Sequence, residues 1–172
     1  DWKPDSVLSQ YVEKLVLQNS SKCSKKVRFQ ILDRWLLCGK KEQLHQWMSN
    51  YENEESEEIY CVKAYLAYSQ NDMANAIKYY KQAFLKLQKG EEPIDQGHFD
   101  SVFWIFFILA LLQEGKTENL PVADKYLIFA TSWSRNNLCY QLYHECYLVL
   151  QHVVLFLTSK TAQAKGIHEI NR

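Results

Sequence analysis

The stretch AYLAYSQNDMANAIKYYKQAFLKL, residues 64–87, decides the fold. Ala64 and Ala67 precede a polar break at Asn71, and Ala76, Tyr80 and Ala83 follow it in the order small, aromatic, small. Gaps of four and three residues put the last three side chains on one helix face. Two alanines flanking one large ring make a face that a neighbouring helix can approach closely, with the ring filling the space that remains. Asn, after Gly, best tolerates the left-handed backbone that ends many helices. The stretch therefore predicts two helices folded back on each other across a turn.

Working outward, Gly39 and Gly115 stand in register with Asn71. Leu32, Ala64 and Ile108 lie seven residues before the three breaks, and Trp35, Ala67 and Leu111 lie four before. Ala123, Leu127 and Ala130 repeat the small, apolar, small order after the third break; Leu44, Met48 and Tyr51 follow the first more loosely. The breaks are 32 and 44 residues apart, so QKGEEPIDQGHF (88–99) carries a longer connection. A further helix begins after Asp5 or Ser6, either a good N-cap, with Val7, Leu8, Tyr11, Val12, Leu15 and Val16 at helical spacing. At the other end Leu138, Leu142, Cys146, Val149, Val153 and Phe156 form a stripe expected to cover the open end of the stack, or to meet a following repeat if the chain continues.

This pattern resembles the tetratricopeptide repeat family, helix–turn–helix units of about 34 residues. The central unit carries the resemblance best, with Tyr60, Ala64, Asn71, Ala76, Tyr80 and Ala83 at the family's spacings, and the likeness spans residues 25–132. Asn71 stands where the family has Gly, and the closing proline is missing. The resemblance implies one all-α domain, a right-handed solenoid of antiparallel helix hairpins. The hairpins fall at 25–52, 57–88 and 98–133, with an N-terminal helix within 1–20 and a capping helix at 136–158. It also implies that the first helix of each pair lines a partner-binding surface: Phe29, Asp33 and Leu36, then Cys61, Tyr65 and Tyr68, then Ile105, Leu109 and Leu112. The basic residues with which family members grip acidic chaperone tails are absent from these positions. An apolar groove suits an amphipathic helix or hydrophobic peptide, unless further repeats or the last helix bury it.

Composition fits. A chain of 172 residues with 47% hydrophobic and 14% aromatic content is not generally disordered. A formal charge of zero argues against whole-domain binding to a polyanion. Lys22, Lys25, Lys26, Arg28, Lys40 and Lys41 nevertheless cluster, either as a solvated face or as a basic patch for phosphates. The acidic run at 52–58 is expected to solubilise and favour the next helix start. Five cysteines, at 23, 38, 61, 139 and 146, show no CxxC and no even framework. Those at 38, 61, 139 and 146 sit in apolar segments as small hydrophobes, which points to a reducing compartment, cytoplasmic or nuclear. Asn19-Ser20-Ser21 fits a glycosylation acceptor, against which the cysteines argue. The chain opens without methionine or signal peptide and has the character of a piece of a longer polypeptide. Its most apolar stretches, 102–112 and 146–157, are too short to span a bilayer.

No Gly-rich phosphate loop, G-x-S-x-G, HExxH or DxDxDG loop is present. Cys139, His144, Cys146 and His152 share one helix but point in two directions, unlike the four convergent ligands of a closed zinc site. The expectation is a non-catalytic protein-interaction or scaffold module with no cofactor and no membrane partner. The alternatives are an accessory domain of nucleic-acid machinery using the basic patch, and a structural or self-associating domain.

Overall fold

The computed structural model describes residues 10, 11, 13–15, 18, 23–51, 55–88, 101–135 and 141–170. Among these the chain is all-helical, without a strand. Seven helices follow in order: α1 (Lys25–Leu37), α2 (Lys41–Ser49), α3 (Glu57–Ser69), α4 (Met73–Gln88), α5 (Val102–Gln113), α6 (Asn119–Arg135) and α7 (Gln141–Ile170). The described residues within 10–18 are helical as well, with Tyr11 and Leu15 exposed. Val7, Leu8, Val12 and Val16 lie outside the described residues.

The three breaks share one backbone device. Gly39, Asn71 and Gly115 adopt φ of 66°, 64° and 72°, the left-handed region that closes helices. After α1, Gly39 N donates to Leu36 O (3.1 Å) and Lys40 N to Trp35 O (2.8 Å); after α3, Asn71 N donates to Tyr68 O (2.9 Å) and Asp72 N to Ala67 O (3.0 Å). These are paired Schellman bonds that satisfy carbonyls the helix leaves open. After α5, Gly115 N donates to Leu112 O at 3.1 Å. Helix starts are set equally locally. Ser24 and Ser56, in extended conformation, accept from Val27 N and Ile59 N, and Asp72 Oδ1 accepts from Asn75 N at 3.2 Å. Hydrogen bonds from the Asn75 side chain and backbone hold the Asp72 carboxyl below its usual range. Pro121 sits in the first turn of α6, where a missing N–H costs nothing.

Each helix packs on its neighbours in the chain, and in addition α3 lies beside α5 and α5 beside α7. Ala64, Ala67, Ala76, Ala83, Ala123 and Ala130 are all buried, as the small-residue pattern predicts. The core is continuous from Leu32 on α1 to Val154 on α7. α5 is its centre. Phe103 and Phe106 pack edge-on against Tyr65, and Phe106 also against Tyr68. Trp104 and Phe107 face Tyr80 and Phe84 of α4 and Tyr126 of α6.

Tyr80 is fully buried, and its Oη has no hydrogen-bond partner among the described residues. An unsatisfied buried hydroxyl costs about 1–3 kcal/mol, so Tyr80→Phe should stabilise the fold by about 1 kcal/mol in urea unfolding. Burial, reinforced by nearby Cys61, Tyr65, Tyr68 and Asp33, pushes the phenol well above its ordinary value of 10.0. With its folded pKa raised, the phenol leaves stability independent of pH below 10.0, and stability falls as pH climbs from there toward the folded value because the unfolded chain ionises first. Tyr80→Phe should therefore lose stability less steeply than the parent above pH 10.0. Equal alkaline slopes, or a destabilised variant, would contradict this.

Three sequence expectations need correction. The last helix runs to Ile170, 30 residues in all, well past 158. Its expected capping stripe also points the wrong way. Leu142, Val149, Val153 and Phe156 are exposed and Cys146 is half-buried, while Tyr143, Tyr147, Leu150 and Val154 face the stack. Leu138 and Cys139 lie outside the described residues. Both stripes have helical spacing, one residue out of step, and the one bearing two tyrosines supplies the larger contact area. Cys38, expected inside an apolar segment, caps α1 in an exposed position; Cys61 is buried, and Cys23 and Cys146 are half-buried.

Candidate functional site

α1, α3 and α5 carry the residues assigned to the partner-binding face. The structure brings them together and then fills much of the space between them. Asp33 is buried and accepts a hydrogen bond from Ser101 Oγ at 2.7 Å, linking α1 to the N-cap of α5. Phe29, half-buried, meets Phe103 edge-on at 6.4 Å. Leu36, Cys61 and Tyr65 are buried. Burial, then the neighbouring Tyr68, raises the Tyr65 phenol above its ordinary range. These positions serve the core rather than an open groove. The reason is the bulk of Phe103 and Phe106, which reach across to the helices before them.

The α5 edge remains accessible. Ile105, Leu109 and Leu112, at four and three residue gaps, form one partly buried stripe packed against the core, on a helix where Phe106 is also partly buried and Gln113 is exposed. Tyr68 joins them through Phe106, whose ring centroid lies 5.2 Å from that of Tyr68. Phe106 is absent from the sequence-derived set. Nearly every residue of VFWIFFILALLQ is apolar, so periodicity does not separate its faces.

Two of the six candidate basic residues are committed to carboxylates. Arg28 is committed to Glu58: its Nε and one terminal nitrogen both donate to Glu58 Oε1, at 3.0 and 2.6 Å, and its other nitrogen donates to Cys23 O at 2.8 Å. The Glu58 side chain is 3% exposed and that of Arg28 24%. Lys40 Nζ donates to both carboxylate oxygens of Glu13, at 2.8 and 3.0 Å. Lys26 and Lys41 are exposed, Lys25 opens α1, and Lys22 lies outside the described residues. Within the acidic run, Glu58 is thus a buried ion-pair partner rather than a solubilising charge. Glu55 is exposed and pairs with Lys86 at 2.8 Å, and that hydrogen bond holds its carboxyl below its usual range.

His144 Nδ1 lies 2.8 Å from Ser134 Oγ, tying α7 to α6. His152 Nδ1 is 2.7 Å from Leu148 O, so that nitrogen carries the proton and donates. Among the described residues no group of three or more His, Cys, Asp or Glu side chains is placed to hold a metal ion. No described helix is long and apolar enough to cross a membrane. Comparison with known protein families, with curated protein sequences and with solved structures finds no match to this chain.

Proposed function

We propose that this chain is a tetratricopeptide-like stack of helix hairpins that works as a non-catalytic protein-interaction module. It would dock an amphipathic helix or apolar segment of a partner along Tyr68, Ile105, Leu109 and Leu112. The repeat reading is supported by the three left-handed breaks in register, two closed by the same pair of backbone bonds. It is supported too by the first helices α3 and α5 lying side by side. The observation that carries the docking reading is the partly accessible stripe Ile105–Leu109–Leu112 along one edge of a largely buried helix. Apolar anchors at i, i+4 and i+7 match the spacing of a partner helix laid into a groove. A reading as a nucleic-acid accessory domain has less support, because two of its six cations are neutralised by carboxylates.

The test is quantitative binding of the partners retained by the intact domain, measured again with Leu109→Glu and with the exposed-site control Gln113→Glu. Leu109→Glu should weaken binding at least about tenfold while the helical circular dichroism stays that of the parent. Gln113→Glu should change little. Equal retention by all three proteins would refute the docking reading.

A further inference from the structure

α7 carries two apolar stripes, and the structure uses one. The inner stripe packs on α5 and α6 through Tyr143, Tyr147, Leu150 and Val154. The outer stripe, Leu142, Cys146, Val149, Val153 and Phe156, repeats at gaps of four and three, the heptad spacing of helices that pair knobs-into-holes. Leu142 is 74% exposed, Val149 63%, Val153 40% and Phe156 58%. Single exposed apolar residues are ordinary, but a contiguous row on one face marks an interaction surface. Lys160 extends the row by one step, its ammonium lying 4.8 Å from the Phe156 ring centroid. From Leu142 to Lys160 the row is about 27 Å long at 1.5 Å per residue.

Charge selects the occupant. Between Gln141 and Gln163, a span that also holds His144 and His152, the Asp, Glu, Lys and Arg side chains are Glu145 and Lys160 alone, one beside each end of the row. A second α7 laid antiparallel, with its two-fold axis at Gln151, sets Val149 opposite Val153 and Cys146 opposite Phe156, and Leu142 opposite the stem of Lys160. In that register Glu145 of each copy comes within one turn of Lys160 of the other, twice by symmetry. A parallel arrangement would set Glu145 beside Glu145 and Lys160 beside Lys160. We infer that the outer stripe of α7 is a homodimer interface, in which two copies of this chain pair antiparallel through Leu142, Cys146, Val149, Val153 and Phe156. The interface is isologous, as two-fold dimers require, and it lies on a different helix from the docking stripe of α5.

Sedimentation equilibrium of the intact chain and three variants tests this under reducing conditions. The parent should dimerise. Val153→Glu should be monomeric with unchanged helical circular dichroism, since Val153 faces away from the core. Glu145→Lys should weaken the dimer at least about tenfold, and the double variant Glu145→Lys with Lys160→Glu should recover most of the loss. Oxidising a Phe156→Cys variant should then link Cys146 of one copy to position 156 of the other, as read by mass spectrometry of linked peptides. A parent that stays monomeric up to about 1 mM, leaving the stripe to a different protein, overturns the proposal. So does a dimer indifferent to Val153→Glu, or links joining like positions. Leu109→Glu serves as the reference here: it should leave dimerisation intact, so a failed dimer and a failed docking face are told apart.

Discussion

Arg28→Met is expected to lower stability by about 3 kcal/mol, markedly more than Glu58→Gln. The asymmetry follows from unequal burial. Glu58 is 3% exposed at its side chain and relies on the guanidinium; Arg28 is 24% exposed and can turn to water when its partner is neutral. Removing Arg28 strands a carboxylate in the joint between α1 and α3, and it also abolishes the donation to Cys23 O that fastens the segment before α1. A lone charge held out of water costs several kcal/mol, reduced here because one partner reaches solvent. Replacing both by methionine should therefore recover a large part of the loss, since neither charge is then stranded. Urea unfolding of the two singles, the double and the exposed-site control Lys26→Met supplies the cycle. Arg28→Met no more harmful than Lys26→Met would show that the pair contributes nothing to the fold.

Ala83→Leu should be comparably damaging, about 3 kcal/mol, or a fall of about 10 °C in midpoint for a chain of this size. Ala83 is fully buried on α4, one turn from Tyr80, where α4 meets both α3 and α5. Three added carbons have nowhere to go between closely spaced backbones, and the aromatic cluster of Tyr80, Trp104 and Phe107 blocks sideways relief. Leu85, two residues on and exposed, gives the contrast: Leu85→Ala should move the midpoint hardly at all. A neutral Ala83→Leu would mean that the small side chains do not set helix spacing, which would remove the physical basis of the repeat reading.

The three breaks were legible in the sequence because left-handed backbone is a local demand that Gly and Asn alone meet cheaply, and the alanine faces because they obey a local period. What stayed illegible is of two kinds. The partners of Asp33 and Glu58 are 68 and 30 residues away, and nothing in the sequence near either acid announces them. On α5 and α7 the apolar residues run around more than one face. Period then fails to say which face is inside, so it does not distinguish the exposed α7 stripe from the buried one or single out Phe106. The partner-binding set suffered for the same reason: Tyr65 and Leu36 sit where a groove would be, but large neighbours close it.

The rings of α5 touch residues of α1, α3, α4 and α6. In a simple linear array each unit leans only on the next, so a terminal hairpin can melt while the rest endures. Here one strut ties members two units apart, and no hairpin among these can come loose without tearing an aromatic joint that the others share. Thermal unfolding followed by near-UV and far-UV circular dichroism is therefore expected to show one coincident transition rather than a hairpin melting ahead of the rest.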